Sequence, residues 1–183
     1  MGGIGSGKSF IAKLFRYPVF NADKVVSKIY RKDKNCFKKL KKKFPSCIKS
    51  FPIKKTELIK IISNDRDNLK KISSVVHPIV RKKMSIFLRE NRHRKMVILD
   101  IPLLIENKIK KKNDILLFVN AKKKIILKRI KQRKNYNKKI FNNLKQNQYV
   151  LLKKRKLANY IIDNNFSINI MRSKVKLLKN KII

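Results

Sequence analysis

Met1-Gly2-Gly3-Ile4-Gly5-Ser6-Gly7-Lys8-Ser9 holds every glycine of the chain within its first seven residues. The spacing is G-x-x-x-x-G-K-S, a P-loop. Residues without a Cβ let successive backbone N–H groups turn inward around an anion. Gly3, Gly5, Ser6, Gly7, Lys8 and Ser9 therefore form the expected phosphate cradle. In it Lys8 reaches the outer phosphates as a point charge and the Ser9 hydroxyl holds Mg²⁺. A helix opening near Gly7 turns its positive end toward the same phosphates. The competing reading, a frayed glycine-rich terminus, accounts neither for the spacing nor for the lack of glycine elsewhere. The expected ligand is a nucleotide phosphate.

A P-loop ordinarily follows a buried strand, yet only Met1 precedes Gly2. Five buried apolar residues at roughly 1.5–3 kcal/mol each amount to about 10 kcal/mol. A whole domain is stable by only about 5–15 kcal/mol. The natural chain is therefore expected to begin several residues upstream.

The 183 residues suit one domain carrying an inserted subdomain. Lys and Arg number 51 against 10 Asp and Glu, a net charge of +41. Such a charge points first to nucleic acid. However, 40 of the 51 are Lys, spread along the whole chain, and Asn and Ile are also plentiful. That mixture fits a genome rich in A and T better than a binding patch. Four of the ten acids, Asp23, Asp100, Glu106 and Asp163, lie at or near the ends of apolar runs, where α/β sites are built. Cys36 and Cys47 have no metal or redox spacing and read as reduced thiols of a cytoplasmic protein. No signal peptide is visible. No apolar run approaches the ~18 residues of a membrane span.

Residues 9–15 read as a short helix and 19–21 as a short strand running into Ala22-Asp23. A second helical pattern covers 24–30. From Asp33 to Asn91 the chain looks helical and Lys-rich. There Thr56 is a candidate helix cap, and His77-Pro78 a helix start before Val80, Met84, Phe87 and Leu88. Apolar runs at 96–99, 115–119 and 160–162 have the look of buried strands. The first ends at Asp100 and the last at Asp163. Residues 122–133 are basic and helical, and a closing helix starts near Ser167. Strands alternating with helices imply an α/β protein with a parallel sheet covered on both faces.

Taken together, these segments resemble the dephospho-CoA kinases, and the likeness covers nearly the whole chain. Gly2 to Ser9 is similar to the family's G-G-I-G-S-G-K-S, and Asn21-Ala22-Asp23 to its D-A-D. His77-Pro78-Ile79-Val80-Arg81 is similar to its H-P-x-V-R, and Asp100 to Glu106 to its segment ending P-L-L-x-E. Arg129 and Arg133 fall where the family has arginines on a mobile lid. Gln148 through Ile162-Asp163-Asn164 resembles its Q…A-D-Y-V-I-D-N. The departures are the first strand, Asn21 for the first Asp of D-A-D, Phe10 for the usual Thr, Asn159 for the Asp of A-D-Y, and a shorter link between Phe15 and Pro18.

The resemblance implies a three-layer α/β/α P-loop NTPase fold. It implies a helical acceptor-binding insertion at about 31–95 and a lid at about 128–150. It implies transfer of a phosphoryl group from ATP, with Mg²⁺, to the ribose 3′-hydroxyl of dephospho-CoA, the last step of coenzyme A biosynthesis. Phe10 joins the cradle through its backbone N–H. Asp23 is the expected base for the ribose hydroxyl, with a helix N-cap for 24–30 as its structural alternative. Arg129 and Arg133, four apart on one helical face, close over the γ-phosphate or are simply solvated. Asp100 binds Mg²⁺ through water or serves as a turn residue. His77 contacts substrate or merely caps, and Arg81 holds a substrate phosphate. Another small P-loop kinase acting on a nucleoside or nucleotide is the nearest rival. A basic nucleic-acid-binding protein keeping a P-loop relic is a rival of another class. The 8% aromatic content and the lack of a base-reading motif count against the latter. Neither a nucleic-acid nor a membrane partner is expected, and oligomeric state is not legible.

Overall fold

The computed structural model describes residues 1–65, 67–102, 110–132 and 151–183. Along them run α1 (Lys8–Leu14), β1 (Val19–Asn21), α2 (Ala22–Lys32), α3 (Lys34–Lys43), α4 (Lys55–Asn64) and α5 (Asp67–Glu90). There follow β2 (Ile98–Asp100), β3 (Leu117–Asn120), α6 (Lys123–Lys131), α7 (Leu151–Lys156), β4 (Tyr160–Asp163) and α8 (Ile168–Ile182). The chain divides into two compact units, Met1–Phe20 with Arg94–Ile183, and Asn21–His93.

The first unit is α/β. β3 and β4 pair in parallel, from Leu117 opposite Tyr160 to Asn120 opposite Asp163. The last rung is closed by the Asn120 side chain, whose Nδ2 donates to Asp163 Oδ1 at 2.7 Å. β1 lies beside β2 in a second pair. Met1 adds a rung of its own to β3. Its ammonium donates to the Leu117 carbonyl, and its carbonyl accepts from Val119 N. Those are the two bonds one residue of a parallel strand makes. The phosphate loop thus leaves directly from a sheet position, as the motif requires.

Helices α1 and α8 close over this sheet. Ile11 and Phe15 meet Val119, Ile162, Met171 and Val175, all buried. The closing helix buries Met171 and Val175 and packs Leu178 and Ile182 beside them, a stripe at i, i+4, i+7, i+11. Ile170 and Leu177, apolar residues of the same helix, lie outward at 47% and 66% exposure.

The second unit is all helix. α5 is its spine, packed by α2, α3 and α4. Leu40, Ile48, Ile61 and Val76 sit at its centre, each at most 2% exposed. Its helix starts are specified by short polar side chains. Asn21 Oδ1 accepts from Lys24 N, and Asp33 Oδ1 accepts from Cys36 N, both at 2.8 Å. Thr56 is not a cap, since α4 begins one residue before it. Glu57 instead ties that entry together, accepting from Lys54 N, Lys49 N and Ser50 N. Burial opposes ionisation of its carboxyl, but the three amides prevail and hold it below the usual value.

Pro78 does not open a helix. It lies inside the 24 residues of α5. A proline there removes one backbone bond and crowds the preceding turn, at about 3 kcal/mol. Ile72, Val75 and Val76 before it and Met84 after it are all buried by the same continuous helix. Each buried side chain contributes about 1.5–3 kcal/mol, so packing overrides the local rule. Burial raises the Cys36 thiol to about 11, with Asp33 adding to the effect, so this cysteine stays protonated and unreactive. Both cysteines are free thiols.

Candidate phosphate-binding loop

The loop is a tight turn, in which Ser6 N donates to Gly3 O at 3.2 Å and Ile11 N to Gly7 O at 3.0 Å. Gly5 has φ +81° and Gly7 φ +91°, left-handed values that L side chains rarely adopt. Space forbids a side chain there as well. A Cβ on Gly5 would lie 2.9 Å from Ile130 of α6, and one on Gly7 only 2.2 Å from Asn164 Nδ2. Ser6, between them, is 1% exposed. Its hydroxyl has no hydrogen-bond partner among the described residues. Lys8 turns back across the loop, its Nζ donating to the carbonyls of Gly2 (3.2 Å) and Gly3 (2.8 Å). Ser9 is exposed on the first turn of α1, and the Phe10 side chain packs against the core of the first unit.

A wall of the loop comes from the far end of the chain. Asn164, one residue past β4 and 3% exposed, donates from Nδ2 to Ser6 O at 2.8 Å. Its Oδ1 accepts from Phe166 N at 2.9 Å, and its own N donates to Asn120 O. Phe166 has φ +66°, and the guanidinium of Arg129 stacks 4.2 Å from its ring centre. Sequence reasoning quotes Ile162-Asp163-Asn164 but gives Asn164 no task. The signal available was an Asn directly after a strand end, a residue type that can hold a turn and still offer a side-chain donor. Lys154 on α7 is also buried, at 1% exposure, a residue hidden among forty lysines.

Geometry therefore brings together Gly3, Gly5, Ser6, Gly7 and Lys8 with Asn164, which the sequence did not single out. Arg129 is exposed on α6 and sits on the Phe166 ring. Asp100 is buried at 7% where β2 ends. Asp23, His77 and Arg81 belong to the helical unit. Asp23 is exposed in the first turn of α2, whose N-cap is Asn21, so the capping alternative for Asp23 falls away. His77 lies mid-helix in α5, not at a helix start, so it does not cap. Burial, and then the charge of Arg81 one turn on, hold its imidazole below the ordinary value. Arg133, Glu106 and most of the expected lid lie outside the described residues.

Oxygen ligands suit magnesium, which needs few protein groups. Among the described residues no group of three His, Cys, Asp or Glu side chains could cage a metal. No helix among them is long and apolar enough to cross a membrane.

A family model described as dephospho-CoA kinase matches residues 1–169. The chain is 34% identical over 180 residues to the dephospho-CoA kinase of Wolbachia pipientis, covering 96% of this chain and 92% of that one. It is 33% identical over 189 residues to that of Bartonella henselae, covering 98% and 96%. Its fold is similar to a solved Thermus thermophilus structure, with a TM-score of 0.76 at 27% identity, covering 100% of this chain and 95% of that one. It also resembles in fold the dephospho-CoA kinase of Campylobacter jejuni, with a TM-score of 0.65 at 23% identity, covering 100% and 94%.

Proposed function

The chain belongs to the dephospho-CoA kinase family, and from that premise we infer that it is an ATP-dependent kinase. It transfers the γ-phosphoryl group of ATP to the ribose 3′-hydroxyl of dephospho-CoA and so completes coenzyme A. The loop geometry is the observation that supports this best. Two left-handed glycines flank a buried serine whose hydroxyl has no partner among the described residues, beside a lysine that already reaches around the turn. Such a cradle suits a chain of phosphates.

Phosphoryl transfer asks a protein mainly to position an in-line attack and to neutralise charge on the moving group. The loop N–H groups, up to Phe10, and the Lys8 ammonium bind and orient ATP. The Ser9 hydroxyl and the Asp100 carboxylate are hard oxygen donors of the kind Mg²⁺ takes, and they would hold it. Bound there, the ion supplies charge neutralisation at the phosphate oxygens. Asp23 accepts the proton of the attacking hydroxyl. A carboxylate two residues past a strand end, relieved of the capping duty by Asn21, suits that task. Arg129 and Arg133 belong to a lid at about 128–150 that closes over the γ-phosphate. The helical segment at about 31–95, with Arg81 and a neutral His77, receives the pyrophosphate-bearing acceptor. We assign the protein to the cytoplasm and read its charge of +41 as compositional, with no nucleic-acid partner.

The test is an assay of the full chain with Mg-ATP and, in separate reactions, dephospho-CoA, nucleosides and nucleoside monophosphates. Phosphorylation confined to dephospho-CoA is the expected result. Turnover of a nucleoside instead would overturn the substrate. Tight, salt-dependent RNA binding without ATP turnover would favour the relic P-loop reading.

A further inference from the structure

The Ser6–Gly7 peptide is held from outside the motif, at its carbonyl. A trans peptide is planar, with its C=O and the following N–H on opposite sides. Whatever fixes the direction of Ser6 O therefore fixes the direction of Gly7 N–H. Asn164 Nδ2 does this at 2.8 Å in a buried setting. Its other amide atom is committed to Phe166 N and its backbone to Asn120 O, so the side chain has no freedom to turn away. Gly7 is complementary to it, because any Cβ at that position would collide with the same Nδ2.

We propose that Asn164 is a positioning residue for the nucleotide. By gripping Ser6 O it turns the Gly7 N–H into the loop, where the phosphates of ATP are bound. The inference rests on the kinase reading insofar as it takes the ligand to be ATP. The role assigned to Asn164 is exerted through the Ser6–Gly7 peptide, the group its Nδ2 holds. Without it that peptide can rotate, and a buried carbonyl loses its donor. The acceptor substrate feels neither change.

Asn164→Asp is the sharpest test. It preserves size and the acceptor for Phe166 N, but sets an oxygen against Ser6 O where a donor had been. Equilibrium Mg-ATP binding, KM for each substrate and thermal unfolding are to be measured on the full chain. The neighbouring Asn165→Ala, which removes an equivalent local bond to Ser167 N, serves as control. The expected result is an ATP affinity weakened about tenfold or more. KM for dephospho-CoA should stay within about twofold of the unaltered protein, and Asn165→Ala should leave ATP binding unchanged. ATP binding unchanged in Asn164→Asp overturns the proposal. So does a parallel rise in both KM values, which would mark a general structural role. Should Asn164→Asp not fold, Asn164→Ser, too short to span to Ser6 O, is read by the same criteria. If the unaltered chain binds Mg-ATP but does not phosphorylate dephospho-CoA, the substrate assignment fails, while the binding comparison still decides the role of Asn164.

Discussion

The two units of this chain are held together by different means. Among the described residues of the α/β unit, four polar or charged ones are buried: Ser6, Asp100, Lys154 and Asn164. In the helical unit every buried residue among those described is hydrophobic, from Ala22 to Met84. A buried polar group costs roughly 1–3 kcal/mol unless it is matched. Ser6 is such a group: its hydroxyl has no partner among the described residues, and it lies in the loop, where Asn164 grips its carbonyl. The helical unit is built as a plain apolar core, with its polar groups kept to caps such as Asn21, Asp33 and Glu57. The contrast teaches that substitutions should separate into those that alter chemistry and those that alter stability.

Asp23 is the severest challenge to that division, because it belongs to the helical unit yet is assigned chemistry. Asp23→Asn should lower kcat by about 10²–10⁴-fold while leaving Mg-ATP binding and the unfolding temperature in place. Undiminished turnover would return Asp23 to the helical surface and make the division complete. Next comes Lys8→Met within the loop, expected to cut kcat/KM by about 10²–10³-fold, with no comparable loss of stability. A drop in folding free energy equal to the catalytic loss would show instead that the bonds of Lys8 to Gly2 and Gly3 are structural. Deep in the helical core, Ile61→Val should cost about 0.5–1.5 kcal/mol in denaturant unfolding and leave ATP affinity unchanged. The smallest expected effect concerns His77. Its folded-state value lies below the usual 6.5, so as pH falls below 6.5 the unfolded chain takes up this proton first. Stability from the neutral imidazole is full above 6.5 and declines toward the lower folded value. His77→Gln should flatten that part of the pH–stability curve, and an unchanged slope would remove His77 as its source.

Much of this architecture is legible residue by residue. Tyr160–Asp163 forms over the span its apolar run suggests, and the helix expected at 122–133 forms over Lys123–Lys131. Those elements are decided by periodicity within a few residues. Pro78 misleads because the local rule knows nothing of the apolar side chains its helix buries on either side. On the closing helix, Ile170 and Leu177 are as apolar as Met171 and Val175, and only what lies opposite decides which of them is buried. The phosphate loop itself is plain in the spacing of its glycines. The residue that grips it is not, because Asn164 and Ser6 are 158 positions apart and no spacing rule reaches that far.

That separation bears on how the protein is made. Synthesis delivers all four glycines first, while the asparagine that fastens the turn emerges near the end. A nascent chain that has reached only as far as Asn120 possesses the full nucleotide motif without its clasp. On the proposed role of Asn164, competence for ATP is acquired late in translation, once the final strand has docked beside its neighbour.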